Sequence, residues 1–357
     1  MMKRNSPLVR ALCGLLCAVA LLSLAACGET KESRTEILAM DTYMTLVAYG
    51  KNRDKGLAAA ESVIRTMDSM LDPELPTSTV YAMNHANGEN VVVPGQVADM
   101  LNAAQLVYRQ SDGALDLTVY PLLKLWGFID QKNYVPTDTE ISAEMAKLCF
   151  DKVVLTSFPS SGTYIVSMPA YAEISFGAVA KGCASDKAIE AMRAAGVTSG
   201  IISLGGNVQT LGLKPDGTQW KVGIEDPNNP GSGYLGVLSV GETAVVTSGG
   251  YQRYFTDVAT GKTYHHILKP SSGYPASNNL LSVTIICRDG TMADCLSTAM
   301  FVLGETQALN YWRSYGSKDG GGFDMVLITK DNRIICTKGL IEQFTLVNES
   351  YTVSYSE

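Results

Sequence analysis

Apolar residues in this chain recur at helical spacing in some stretches and alternate in others, and the two periods never settle into a strand–helix–strand beat. That irregular mixture restricts the fold more than any other feature. Glu36–Gly50 (EILAMDTYMTLVAYG) alternates as a strand does. Asp54–Leu71 follows with Leu57, Ala60, Val63, Ile64, Met67 and Leu71 at helical spacing. Gln96–Gln110 reads as a second helix and Gly177–Ala195 as a third, ending at Gly196, a residue suited to a C-cap. Strands are expected at Gly200–Leu204, Trp220–Ile224, Thr243–Val246, Arg253–Val258 and Leu280–Cys287. Two more helices follow at Met292–Leu303 and Thr306–Tyr315, and Phe323–Tyr355 reads as strands with turns at Asp331-Asn332 and Lys338-Gly339. The expectation is an α+β fold rather than a doubly wound parallel sheet: a single compact catalytic unit, of one or two lobes, over residues 36–357. No repeat interrupts it, and Asp226–Gly233 (DPNNPGSG) is a surface loop. With 357 residues, 46% of them hydrophobic and 18% charged, the chain has ample core and is not disordered.

The first 27 residues, MMKRNSPLVRALCGLLCAVALLSLAAC, have a different logic. Lys3, Arg4 and Arg10 precede an apolar run from Ala11 to Ala26, which is short for a membrane span. The ending Leu24-Ala25-Ala26-Cys27 resembles a bacterial lipobox, in which the cysteine is lipidated. Residues 1–26 then form a lipoprotein signal peptide, Cys27 the lipidation site and 27–35 a polar tether. This places the body outside the cytoplasm, lipid-anchored to the cell membrane; an ordinary signal peptide or an anchor helix is the blander reading. The net charge is −7 and no basic run occurs, so nucleic acid is not an expected partner. Beyond the leader remain Cys149, Cys183, Cys287, Cys295 and Cys336, an odd, scattered set without zinc-ligand spacing. They read as small buried apolar residues.

Four stretches carry polar chemistry. In Ser111–Asp116 two acids flank a glycine turn, and Tyr120–Phe128 (YPLLKLWGF) follows. Ile174–Asp186 (ISFGAVAKGCASD) places Lys181 near a helix start, where N–H groups, a lysine and bare carbonyls suit a phosphate with a metal; a packed helix start with a solvent-facing lysine is as good a local account. Ser203-Leu204-Gly205-Gly206-Asn207 is a turn or a place for a flat ring to approach the backbone. The fourth stretch runs from Thr247-Ser248-Gly249-Gly250 through His265-His266 to Met292–Thr298. Adjacent histidines on a strand point to opposite faces, which disfavours a shared zinc and leaves one as a base or hydrogen-bond donor. Asp294 and Thr298, four apart on a helix, share a face and are hard oxygen ligands of the kind Mg²⁺ takes; the alternative is an exposed aspartate interacting with the helix dipole.

Taken in order, these stretches resemble the ApbE family of FAD:protein FMN transferases, over about residues 36–345. The residues that carry the resemblance are Met40-Asp41-Thr42, Gly113–Asp116, Leu125–Phe128, Gly177–Gly182, Gly205–Asn207, Thr247–Gly249, His266–Pro270, Ser272–Pro275 and Ala293–Thr298. Asp41 stands where the family has glycine, Leu115 where it has an aromatic residue, and Lys269 where it has an acid. The resemblance implies a T-fold-related catalytic unit that moves FMN from FAD, its substrate, to a Thr/Ser hydroxyl in a motif of an acceptor protein's FMN-binding domain, releasing AMP. It implies Mg²⁺ held by Ala178 (main-chain oxygen), Asp294 and Thr298, with His266 as base and Asp294 as a second candidate. Lys181 would bind FAD phosphates, and Met40, Ala114, Leu115, Asp116 and Ile267 would line the flavin or adenine pocket. An FAD pyrophosphatase giving FMN and AMP uses the same site with water, and a flavin-binding lipoprotein without turnover is a third reading.

Overall fold

The apolar stretch expected as one strand folds as two, β1 (Glu32–Ala39) and β2 (Thr42–Tyr49), paired antiparallel. The two residues between them, Met40 and Asp41, have φ of 48° and 55°, a hairpin turn of the kind usually built with Asn-Gly or Gly-Gly. No glycine marks it, so alternation ran unbroken through the turn. The computed structural model describes residues 31–158, 162–316 and 322–356. The residues read as signal peptide, Cys27 and the first residues of the segment read as tether lie outside the described residues, and β1 begins inside that segment. Left-handed backbone costs an L-residue roughly 1–2 kcal/mol, against about 0.4–1 kcal/mol that glycine loses through a freer unfolded chain. Asp41→Gly is therefore expected to stabilise the protein by about 0.5–1 kcal/mol, read as a higher urea midpoint.

The remaining helices are α1 (Arg53–Leu71), α2 (Thr79–Asn84), α3 (Gly95–Gln110), α4 (Tyr120–Leu125), α5 (Asp138–Met145), α6 (Ala180–Ala194), α7 (Gly290–Leu303) and α8 (Glu305–Tyr311). The strands are β3 (Val91–Val93), β4 (Val154–Phe158), β5 (Thr163–Ser167), β6 (Gly200–Leu204), β7 (Asn207–Leu211), β8 (Trp220–Glu225), β9 (Tyr234–Val240) and β10 (Ala244–Gly249). They continue as β11 (Tyr254–Thr256), β12 (Thr263–His265), β13 (Leu280–Cys287), β14 (Asp324–Thr329), β15 (Arg333–Thr337), β16 (Phe344–Leu346) and β17 (Thr352–Ser356). At Gly196 α6 ends as expected: the Gly196 N–H donates to Arg193 and the Val197 N–H to Met192, a Schellman motif.

The main sheet runs β1-β2-β6-β7-β10-β13-β14-β15-β17, antiparallel except for the β15–β17 pair. Helices α1, α6 and α7 cover one face, burying Leu46, Ile202, Val246, Val283 and Ile285 against Ile64, Met192 and Leu296. The small sheet β16-β9-β8 covers the other, where Val245, Ile286, Val326 and Ile334 meet Trp220, Leu235 and Leu238. Both faces of β13 are thereby buried, which explains its near-continuous apolar sequence LLSVTIIC. A third cluster joins Leu122, Trp126 and Phe128 to Phe255, Tyr264 and Leu268, and so ties α4 to the β11–β12 ribbon. The α+β expectation holds. The five described cysteines are free and buried, and no helix among the described residues is long and apolar enough to cross a membrane.

Candidate active site

Three segments meet at one end of the main sheet: the Met40-Asp41 turn, the Gly205-Gly206 turn between β6 and β7, and the end of β10. Leu204 pairs with Met44, and the Thr247 N–H donates to the Gly206 carbonyl at 2.9 Å. Gly205 packs so closely on Thr42 that a methyl group there would lie 2.1 Å from its hydroxyl. This end of the sheet is the floor on which α6 and α7 bring their polar residues.

The two helices touch at Gly182, whose N–H donates to Asp294 Oδ2 at 2.8 Å. That N–H is the one an uninterrupted helix would direct back to the Ala178 carbonyl, four residues earlier. Helix α6 begins at Ala180, and the first backbone bond of its opening turn runs from Cys183 to Val179. The start of α6 thus leaves the Ala178 oxygen unclaimed by the helix. A methyl group on Gly182 would sit 2.1 Å from the Gly290 oxygen and 2.7 Å from Asp294 Cβ, so only glycine permits the contact. Gly182→Ala is expected to cost about 1–3 kcal/mol or more, because rooted atoms and not flexible side-chain ends oppose it. Gly177→Ala, where the nearest atom is Ser175 Oγ at 3.6 Å, is expected to be close to neutral. Thermal melts of the two variants check the pair.

Asp294 is 4% exposed, which removes the reading of a solvent-facing aspartate. Burial pushes its carboxyl up, while the Lys181 ammonium and the Gly182 N–H hold it down. Thr298 Oγ1 lies 3.3 Å from Ser248 Oγ, which is itself 2.8 Å from Ser297 Oγ. One carboxylate, a hydroxyl and an unclaimed carbonyl are a donor set a hard divalent cation takes, so the chain's own residues fit Mg²⁺. The amino end of α7 is held from α6: Asp186 accepts the N–H groups of Gly290 and Thr291, and Asp289 caps Met292.

The two histidines diverge, as expected of neighbours at a strand end. His265 Nε2 donates to the Ala276 carbonyl at 3.0 Å and its ring packs edge-on to Phe301. His266 places Nδ1 3.0 Å from the Arg253 carbonyl, an atom that only accepts, so Nδ1 carries the proton and Nε2 keeps a free lone pair. Its ring stands edge-on to Phe128. Burial lowers its pKa to about 4, with the Arg253 and Lys181 charges adding to the effect, so the imidazole is neutral. Lys181 is half-buried and acts electrostatically on both Asp294 and His266.

Hydrogen bonds tie the other motifs to one another. Trp126 Nε1 donates to the Gly273 carbonyl at 2.9 Å, and the Ser175 N–H to the Leu117 carbonyl at 3.1 Å. Asp116 is buried and caps Thr118 through its N–H and hydroxyl at 2.7 and 2.6 Å; burial pushes its carboxyl up. Ala114, Leu115 and Ile267 are buried too, Leu115 in the main core at 2% exposure. Met40 is half-buried, and its N–H donates to Asp68 Oδ1 of α1 at 2.8 Å. Asp68, Ser248 and the Arg253 carbonyl carried no assigned role in the sequence reading. Only Ser248 had a local signal, the Thr-Ser-Gly run. A separate polar groove of about 830 Å³ lies beyond Asp186, lined by Lys187, Arg193, Arg288 and Asp289, and contains none of the His266, Lys181 or Thr298 groups.

The ApbE family sequence model matches residues 40–319. The chain is 32% identical to an FAD:protein FMN transferase from Klebsiella pneumoniae (strain 342), over 85% of this chain and 91% of that one. It is 29% identical to one from Treponema pallidum (strain Nichols), over 95% of each. Among solved structures, the ApbE protein from Thermotoga maritima superposes with a TM-score of 0.77 at 27% identity, covering 87% of this chain and 98% of that chain. The apo form of the Pseudomonas stutzeri flavinyl transferase ApbE does so at 0.75 and 28%, covering 89% and 98%.

Proposed function

This chain belongs to the ApbE family and is an FAD:protein FMN transferase, and from that premise we propose that it uses Mg²⁺ to move FMN onto a Thr or Ser hydroxyl, releasing AMP. The observation that carries the finer reading is the Gly182–Asp294 junction. It leaves a buried carboxylate, the Thr298 hydroxyl and the Ala178 carbonyl as hard oxygen donors beside Lys181. The acceptor hydroxyl oxygen attacks the FAD phosphorus on the riboflavin side. A new P–O bond forms to that phosphorus, its own bond to the bridging oxygen breaks, and AMP leaves carrying the bridging oxygen. His266 Nε2 faces the hydroxyl as the proton acceptor. Ala178, Asp294 and Thr298 would hold the cation, which would supply positive charge against the charge building on the phosphates. Lys181 binds phosphate oxygens, and Met40, Ala114, Leu115, Asp116 and Ile267 shape the ring pockets, the buried ones as walls beneath the ligand. The Leu24-Ala25-Ala26-Cys27 leader supports a body lipid-anchored through Cys27 at the outer face of the membrane, where its acceptor works.

The test incubates the protein with FAD, Mg²⁺ and a small FMN-binding domain bearing a Thr-containing flavinylation motif, and reads in-gel flavin fluorescence. A fluorescent acceptor band with stoichiometric AMP is expected. AMP without a band would replace this reading with an FAD pyrophosphatase, and bound FAD without AMP would leave a flavin-binding protein.

A further inference from the structure

Asn207 is wholly buried, and neither its Oδ1 nor its Nδ2 has a hydrogen-bond partner among the described residues. It opens β7 directly after the Gly205-Gly206 turn and lies opposite Val246 of β10. Side chains two apart on a strand share a face. Two residues on, Gln209 Nε2 donates to Asp186 Oδ1 of α6 at 2.8 Å. Two residues beyond Val246, Ser248 meets Ser297 and Thr298 of α7. Asn207 therefore sits on the helix side of the sheet, between those two sets of contacts, on the floor beneath the first turn of α6 and the Asp294–Thr298 face of α7.

A buried amide with both ends unpaired destabilises a protein, and polar groups in folded chains are nearly always paired. Its position under the site supplies the reason for keeping it. We propose that Asn207 is a further binding residue for the pyrophosphate–cation group, its amide unpaired in the ligand-free protein and hydrogen-bonded in the loaded one. Nδ2 donates to a phosphate oxygen and Oδ1 accepts from a water of the cation. Because the amide is covered in the ligand-free protein, the side chains above it part as the ligand enters. This inference rests on the function proposed above, and it separates two quantities that a purely structural residue would move together.

Asn207→Val has nearly the same size and no polar atoms. In the ligand-free protein, with chelator present, it is expected to raise Tm by about 2 °C. Its Kd for FAD in the presence of Mg²⁺, from the quenching of flavin fluorescence, is expected to weaken about tenfold. Asn207→Ser, which cannot overpack the floor, is expected to lose the same affinity without gaining Tm. Native FAD affinity in either variant overturns the proposal, as does a ligand-free Tm below that of the native chain in Asn207→Val, which would mean that the amide is already paired. If the native chain itself fails to bind FAD, the flavin function falls and the proposal with it; binding by the native chain that Asn207→Val retains overturns the proposal alone.

Discussion

Asp294→Asn is expected to lower FMN transfer by at least about a thousandfold while leaving the fold and its thermal stability close to native. The two effects part because Asp294 has two separable roles. As a structural group it accepts the Gly182 N–H that joins α6 to α7, and an asparagine oxygen accepts it equally well. As a chemical group it is the buried carboxyl beside Lys181, which would hold a cation as its carboxylate, and asparagine cannot ionise. A neutral amide in its place leaves Thr298 and the Ala178 carbonyl, two uncharged donors, to hold a divalent cation against hydration. The measurement is the initial rate of acceptor labelling alongside a thermal melt with and without Mg²⁺. Native protein should melt higher with Mg²⁺ and FAD, and the variant should show no such shift. EDTA should reproduce the loss in the native chain, and excess Mg²⁺ should restore it. Labelling within tenfold of native in Asp294→Asn would remove Asp294 from the cation site.

The helix that carries this residue shows what was legible beforehand and what was not. The spacing of Asp294 and Thr298 gave their shared face, and both do lie on the face turned toward Ser248 and Gly182. The alternative of an exposed aspartate fails, because it needs the side of α7 away from Ala293, Leu296, Met300 and Leu303 to face water. In α7 the opposite face is also small and apolar enough (Cys295, Ser297, Ala299) to be buried between the sheet and α6, as an all-round apolar helix should be. The hidden features are those that depend on partners far away in sequence. Gly182 reads in sequence as part of a packed, small-residue helix start, yet its value lies in a contact 112 residues distant. Strand β7 went unnoticed because its inward residues, Asn207 and Gln209, are polar for reasons that only the helices above them explain. The β1–β2 turn was invisible because Met40 and Asp41 adopt positive φ without a glycine to announce it.

The second large effect concerns His266. Replacing it with alanine is expected to lower transfer by about a hundredfold to ten-thousandfold while leaving the FAD-induced thermal shift intact. The base's work falls in the chemical step and not in holding the flavin. Its pH signature is the sharper test. In the free enzyme the ring is neutral down to about pH 4, because burial and the nearby Arg253 and Lys181 charges disfavour the imidazolium. The acid limb of kcat/KM, which reports the free enzyme, should therefore fall near pH 4 and not near the 6.5 of an ordinary histidine. FAD brings phosphate charge against Lys181, which offsets one of the influences holding the proton off. The limb of kcat, which reports the loaded enzyme, should accordingly lie at higher pH than that of kcat/KM. Stability follows with a definite sign: the folded pKa is depressed, so between pH 6.5 and about 4 the unfolded chain binds the extra proton. Native protein should lose stability as the pH drops through that window, and His266→Ala should lose less. A kcat/KM limb at pH 6.5, unchanged in His266→Ala, would assign the proton to another group.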